Sequence, residues 1–206
     1  MSHKHGRIVH GRVASEHIVQ LFDSASSLAD TVADFLERGR ANDAHLFVVA
    51  RADHWAETVL GLEARGFPVA DAIAALQLRV FDAATTLASF FRSGRVDREL
   101  FDRTVGDTVR HQSMHGPVWV YGEMVDLLAE QGLFAEAESL EHLWNALLQE
   151  CAIHLLCGYQ STRFTDQKAM NALHAICAAH TSVTSKPEDA LASWALAERG
   201  GRFSTH

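Results

Sequence analysis

The chain has 206 residues, 48% hydrophobic and 21% charged, with a formal net charge of −8 at pH 7. That balance belongs to an ordinary soluble globular domain with a sizeable core, and the negative charge argues against a nucleic-acid-binding surface. No apolar run approaches the roughly 20 residues needed to span a bilayer, and the N-terminus lacks the apolar core of a signal peptide, so a cytoplasmic protein with no membrane partner is expected.

Residues 1–16 are polar and carry His3, His5 and His10 among Lys and Arg. They read as a flexible arm, since no fixed ligand spacing follows them. His17–Phe22 is the first strand, and Asp23 or Ser24 can cap the helix after it. Leu28, Val32, Phe35 and Leu36 share one face of that helix, which stops near Gly39. His45–Ala50 is a second strand, apolar enough to be central, followed by a helix over about Asp53–Arg65. Leu76–Phe81 is a third strand and ends at Asp82. A short helix with Leu87, Phe90 and Phe91 is broken by Gly94, and Asp97 starts a longer one with Leu100, Phe101, Val105 and Val109 inward.

Gly116-Pro117 leads into Val118-Trp119-Val120-Tyr121-Gly122-Glu123-Met124. β-favouring residues, a glycine, a carboxylate and an apolar helical run spell a buried strand, a sharp turn and a helix start. The helix ends at Gly132, and another spans about Phe134–Glu150. Its apolar stripe of Leu140, Leu143, Trp144, Leu147 and Leu148 reads as core, and Glu136, Glu138, Glu141 and Gln149 as a solvated face. His154–Tyr159 is the fifth strand; a loop and a helix with Met170, Leu173, Ile176 and Cys177 follow. Ser185-Lys186-Pro187-Glu188 reads as a capping box opening a last helix with Leu191, Trp194 and Leu196. Gly200 to His206 is expected to be disordered. The three cysteines lie in apolar segments and read as reduced core thiols.

Strands alternate with helices throughout, which specifies an α/β fold: three layers, with a mostly parallel central sheet flanked by helices. The expected organisation is an arm over 1–16, one domain over 17–182, and a C-terminal helix and tail over 183–206. In such a sheet ligands bind at the carboxyl edge. The residues expected there are Asp23, Arg51, His54, Asp82, Tyr121, Glu123, Met124 and Tyr159, which could converge on one ligand pocket. Asp23 and Asp82 also sit where a helix cap is useful, as does Asp53. Arg51 could pair with Glu123, hold an anionic ligand, or make a surface ion pair.

The turn after the first strand, Asp23-Ser24-Ala25-Ser26-Ser27-Leu28-Ala29-Asp30, has no glycine and no lysine. A phosphate loop needs both, so an ordinary P-loop ATPase is not expected and no cofactor is assigned. His111 and His115 have the i, i+4 spacing of a metal pair but no third ligand, and Cys177 and His180 read as a buried thiol and a capping histidine. No metal site is assigned. His17 and His154 begin strands and belong at the edge opposite Glu123. No nucleophile elbow, Ser/His/Asp order or Cys-x-x-Cys pair supports an enzyme.

His17-Ile18-Val19-Gln20-Leu21-Phe22, Val118–Met124, Leu140-Glu141-His142-Leu143-Trp144-Asn145 and Leu155-Leu156-Cys157-Gly158-Tyr159, in that order, resemble the MEDS family. This is the methanogen/methylotroph sensory domain first described in a dichloromethane-responsive regulator, and the likeness covers about residues 15–182. The resemblance implies a RecA/KaiC-like core lacking a phosphate loop, and a sensor of small, often hydrocarbon-like molecules in bacterial signal transduction. It also implies a DNA-binding or histidine-kinase output. Only about 25 residues follow the domain, so the expectation is a stand-alone sensory or adaptor protein. It would pass its signal to a separate partner, a kinase or transcription regulator, with a homodimer as a further option. The alternatives are a residual nucleotide-binding ATPase of the RecA/KaiC type and a histidine-dependent metal sensor.

Overall fold

The computed structural model describes residues 15–197, so the N-terminal histidines and the segment from Gly200 onward lie outside it. The elements are β1 (Glu16–Phe22), α1 (Ala25–Ala41), β2 (His45–Ala50), α2 (Ala52–Ala64), α3 (Val69–Ala74), β3 (Leu78–Asp82) and α4 (Ala83–Phe90). A hairpin of β4 (Phe91–Arg92) and β5 (Arg95–Val96) follows, then α5 (Arg98–Phe101), a π-helical turn (Asp102–Gly106) and α6 (Asp107–Ser113). The second half holds β6 (Val118–Gly122), α7 (Met124–Glu130), α8 (Phe134–Glu150), β7 (Ile153–Gln160), α9 (Gln167–Ala178), β8 (Ser182–Thr184) and α10 (Ala190–Ala197).

Six strands form one sheet in the order β3-β2-β6-β7-β1-β8, and every pairing in it is parallel. Successive side chains alternate between its faces. On one face Val19, Leu21, Phe47, Val49, Val118, Val120, Leu155, Cys157 and Tyr159 meet α4 to α10. On the other Ile18, Phe22, Leu46, Val48, Trp119, Tyr121 and Leu156 meet α1 to α3. Both faces are buried, which is why these strands read as near-continuous apolar runs. The three-layer α/β reading holds.

Ser24, not Asp23, caps α1, accepting from Ser27 N. Asp82 caps α4, accepting from Thr85 N, and Asp97 caps α5. Three features carry no period long enough to be seen in sequence. The β4–β5 hairpin turns on Ser93 and Gly94, at φ of 51° and 77°, the left-handed pair that a two-residue hairpin loop demands. The strand β8 has only three residues and pairs with β1. The chain turns at Pro187 and Glu188, so α10 starts at Ala190 rather than at the expected capping box.

One expectation is corrected outright. Glu141 is not on a solvated face; it is fully buried. Ala137, Glu141, Trp144 and Leu148 follow one another at four, three and four residues, so Glu141 lies on the apolar stripe itself and faces the sheet.

Candidate functional site

β2 and β6 are neighbours whose onward helices cover opposite faces of the sheet: α2 and α3 one side, α7 and α8 the other. Strand ends part at such a point, and in open α/β sheets ligands bind beyond them. Arg51 and His54 follow β2, and Glu123 and Asp126 follow β6.

Glu123 is fully buried. Its backbone N–H donates to Val49 O at 3.0 Å, extending the β2–β6 ladder by one bond. Its Oε1 accepts from the Tyr121 hydroxyl at 2.8 Å and its Oε2 from His54 Nδ1 at 2.7 Å. Arg51 Nε lies 3.7 Å away. Burial, and then the Glu123 charge, pushes the Tyr121 phenol well above its usual range, so it remains a donor. The hydrogen bond to Glu123 raises the pKa of His54 and outweighs the opposing desolvation.

A second tier sits outside this one. Arg51 Nη2 donates to Asp126 Oδ2 at 2.7 Å and to Glu130 Oε2 at 2.9 Å. Burial opposes the Arg51 charge, but these two carboxylates more than offset it. Arg163 Nη2 meets Glu130 Oε1 at 2.9 Å, so one carboxylate bridges two guanidinium groups. Asp126 is buried and its Oδ1 also accepts from Gln160 N at 2.9 Å. The side chains of Arg51 and Arg163 are 22% and 20% exposed and that of Glu130 41%, so this tier is the solvent side of the cluster.

The remaining expected residues are placed elsewhere. Met124 is core. Asp82 is spent on its cap at the far edge strand. Tyr159 points to the opposite face from Tyr121 and donates to Glu141 Oε1 at 2.8 Å. Asp23 binds the C-terminal segment: its carboxylate accepts from Leu191 N at 2.8 Å, Ala192 N at 3.0 Å and the Ser161 hydroxyl. Asp189 reciprocates, accepting from Asp23 N at 2.9 Å and from the Ser27 hydroxyl. A carboxylate of the same chain therefore stands at the N-terminus of α1, where a helix dipole favours an anion. Arg163, Asp126 and Glu130 were missed by the sequence reading. The i, i+3 spacing of Glu123 and Asp126 across a helix start was the available signal.

Below the other face lies a second polar group. His17, Glu141, Cys157 and His180 each place a ligand-type atom within 4.8 Å of the others. Burial opposes the Glu141 charge, and His180 and His17 more than offset it, holding the carboxyl well below the usual range. His17 and His154 do lie at the amino edge, away from Glu123. The rings of His111 and His115 are 5.1 Å apart, and both residues are exposed.

A small recess also opens against the sheet face under the π-helical turn. It has a volume of about 80 Å³ and is lined by Phe47, Val49, Phe81, Val105, Val109, Val120 and Trp144 with three threonines. The hydroxyls of Thr86, Thr104 and Thr108 all donate to main-chain carbonyls, so the lining is apolar in effect. None of the helices among the described residues is long and apolar enough to cross a membrane.

No curated protein gives a significant match. The family model described as MEthanogen/methylotroph, DcmR Sensory domain matches residues 16–181, which takes in β1 to α9, the Glu123 cluster and the Glu141 group, and the chain therefore belongs to the MEDS family of sensory domains.

Proposed function

We propose that this sensory domain works as a sensory or adaptor module of bacterial signal transduction. A small anionic ligand engages the carboxyl edge of the sheet, and the change is read by a separate signalling protein, a kinase or transcription regulator. The observation that carries the reading is Glu130 bridging Arg51 and Arg163 above buried Glu123 and Asp126. Without Glu130, two guanidinium groups and His54, its pKa raised by Glu123, face two carboxylates, and the place between the arginines is open to another anion. Glu130 fills that place from the C-terminal end of α7. A small carboxylate would displace it and free the end of α7.

A continuous set of hydrogen bonds leads away from this point. Asp126 holds Gln160 N, the adjacent Ser161 hydroxyl holds Asp23, and Asp23 holds the first turn of α10. That helix exposes Leu191 at 52% and Trp194 at 56%. The stripe of α8 is buried, so α10 supplies the surface a partner would touch. A two-state element whose equilibrium both sites bias is the physical requirement for coupling. The carboxylate of Asp189 at the α1 N-terminus weighs against the nucleotide reading, because it holds the position a phosphate would take.

A second reading rests on the apolar recess beneath the π-helical turn. π-turns are frequent at functional sites, and a dry cavity takes up small apolar molecules. A hydrocarbon-like ligand would seat there rather than at the arginines.

One titration separates the two. Thermal shift and calorimetry are run with acetate and longer monocarboxylates, and with xenon and small alkanes, on wild type, Glu130→Gln and Arg51→Gln. The anion reading expects binding that tightens about tenfold in Glu130→Gln and vanishes in Arg51→Gln. Binding of the apolar set alone, unchanged in both variants and lost in Val109→Phe, moves the ligand to the recess. No response to either set removes the ligand half of the proposal.

A further inference from the structure

The buried group on the α8 face of the sheet is built from four separate elements. His17 comes from β1, Cys157 from β7, Glu141 from α8, and His180 from the turn after α9. His17 Nε2 lies 3.2 Å from Glu141 Oε2, and Cys157 Sγ lies 3.5 Å from His17 Nε2 and 3.4 Å from Glu141 Oε2. His180 Nε2 lies 3.5 Å from Glu141 Oε1. A tetrahedral ion with nitrogen and oxygen ligands at about 2.0–2.2 Å and sulfur at about 2.3 Å sets its donor atoms roughly 3.3–3.8 Å apart. These four contacts, at 3.2–3.5 Å, are close to that size, and all the ligand atoms lie within 4.8 Å of one another.

The outer contacts fix which nitrogen each ring turns inward. The Asn145 amide donates through Nδ2 to Ala179 O at 2.9 Å, which turns its Oδ1 toward His17 Nδ1, also at 2.9 Å. His17 must then carry its hydrogen on Nδ1. His180 Nδ1 faces the carbonyl of Ile176 at 2.6 Å, an acceptor only, so it too carries hydrogen there. With both rings neutral, both Nε2 lone pairs point into the group. This is the arrangement by which outer acceptors orient histidine ligands. His180 Nε2 is buried and has no hydrogen-bond partner, and its side chain is fully buried. Two lone pairs aimed at a carboxylate repel it, so something positive belongs between them. One added proton would balance the Glu141 charge but leave one of the two lone pairs facing the carboxylate, and two would leave a net positive charge in a buried site, which is costly. A divalent ion with one thiolate, one carboxylate and two neutral imidazoles sums to zero.

We propose that His17, Glu141, Cys157 and His180 form a closed, four-ligand site for a zinc-class divalent ion, with Asn145 as its positioning residue. Binding moves one proton, from the Cys157 thiol to solvent, and forms four metal–ligand bonds with no redox change. All four positions are taken by the protein, which marks a structural rather than a catalytic site. The ion would clip the neighbouring strands β1 and β7 to α8 and to the chain after α9. This inference stands apart from the ligand reading above, since it concerns the opposite face of the sheet and different residues.

The test uses the full chain without an affinity tag, loaded with cobalt(II) and separately with zinc(II), then washed with a weak chelator. Wild type is expected to keep one ion per chain. The cobalt form should show tetrahedral visible bands and a thiolate charge-transfer band in the near ultraviolet. Chelation with a strong chelator should lower the thermal midpoint and zinc should restore it. Deleting residues 1–14, or changing His111→Ala with His115→Ala, should leave all of this unchanged. Cys157→Ser should lose the charge-transfer band, and Asn145→Ala should bind about 10–100-fold more weakly with the band kept. Should Cys157→Ser fail to fold, His180→Gln takes its place, with the thiolate band kept and the ion lost to the weak chelator. A folded wild type that keeps no ion, or one whose ion is lost with residues 1–14 or His111 and His115, overturns the site.

Discussion

Glu123 and Glu141 are both fully buried, one on each side of the sheet; a tyrosine and one histidine face Glu123, and a tyrosine and two histidines face Glu141. A carboxylate so placed without such partners would cost several kcal/mol, about the whole margin of a domain. His54 gives a direct handle on the Glu123 side. Its folded-state pKa is raised from the usual 6.5, chiefly by the hydrogen bond to Glu123. The stabilisation is therefore complete below the unfolded value and is lost as pH rises through the folded one. Wild type should exceed His54→Gln in stability by about 1.5 kcal/mol or more at mildly acid pH, and the gap should close on the alkaline side. Denaturant melts of both proteins across that range check it; a gap that does not change with pH would mean that the proton on His54 contributes nothing. At this scale the sequence was partly legible. Strand–glycine–carboxylate order placed Glu123 and Tyr121 at the edge, and the strand ends placed Arg51 and His54. Arg163 and Glu130 were not legible, because a turn and the far end of a helix reach the cluster only through three-dimensional folding.

Among the elements, α10 has the weakest independent claim to order. It has eight residues and exposes two large apolar side chains, and isolated helices of that length are unstable in water. Its place is set by the crossed carboxylates: Asp23 receives the first N–H groups of α10, and Asp189 receives Asp23 N, the Ser27 hydroxyl and Lys186 N. Asp189→Ala should cost about 2 kcal/mol, in line with lost caps and buried charged hydrogen bonds. It should also raise amide exchange in Ala190–Ala197 well above that of α8. Hydrogen-exchange mass spectrometry resolves the two helices, and unchanged protection of α10 would refute the clamp. Sequence reading saw a helix here and chose the Ser185 box as its start. It had no means of seeing that the true partner of Asp189 lies at the other end of the chain.

For the whole molecule, the arrangement of strands matters more than any one of them. β1 is paired on one side by β7 and on the other by β8. The family match ends at Thr181, one residue short of β8. A chain cut after Thr181 would leave β1 as a long apolar edge with unpaired backbone groups, a template for pairing with other chains. Such a truncation should melt at least several degrees lower and self-associate, while a chain cut after Ala197 should behave as wild type. Size-exclusion chromatography with light scattering and a thermal melt decide it; equal behaviour of the two would show that β8 adds nothing to the sheet.

The sequence by itself determined the α/β class, the strands at β1, β2, β3, β6 and β7, the helix boundaries of α8, and the turn that carries Glu123. These follow from local periodicity and from glycine, proline and capping residues, which act over a few positions. Tertiary structure alone decided that Tyr121 and Tyr159 serve opposite faces, that Asp23 meets Asp189, and that Glu141 is buried with His17, Cys157 and His180. The physical reason is that a parallel sheet pairs strands remote in sequence. The order β3-β2-β6-β7-β1-β8 brings the first strand beside the last two, and no local pattern encodes which strand lies next to which.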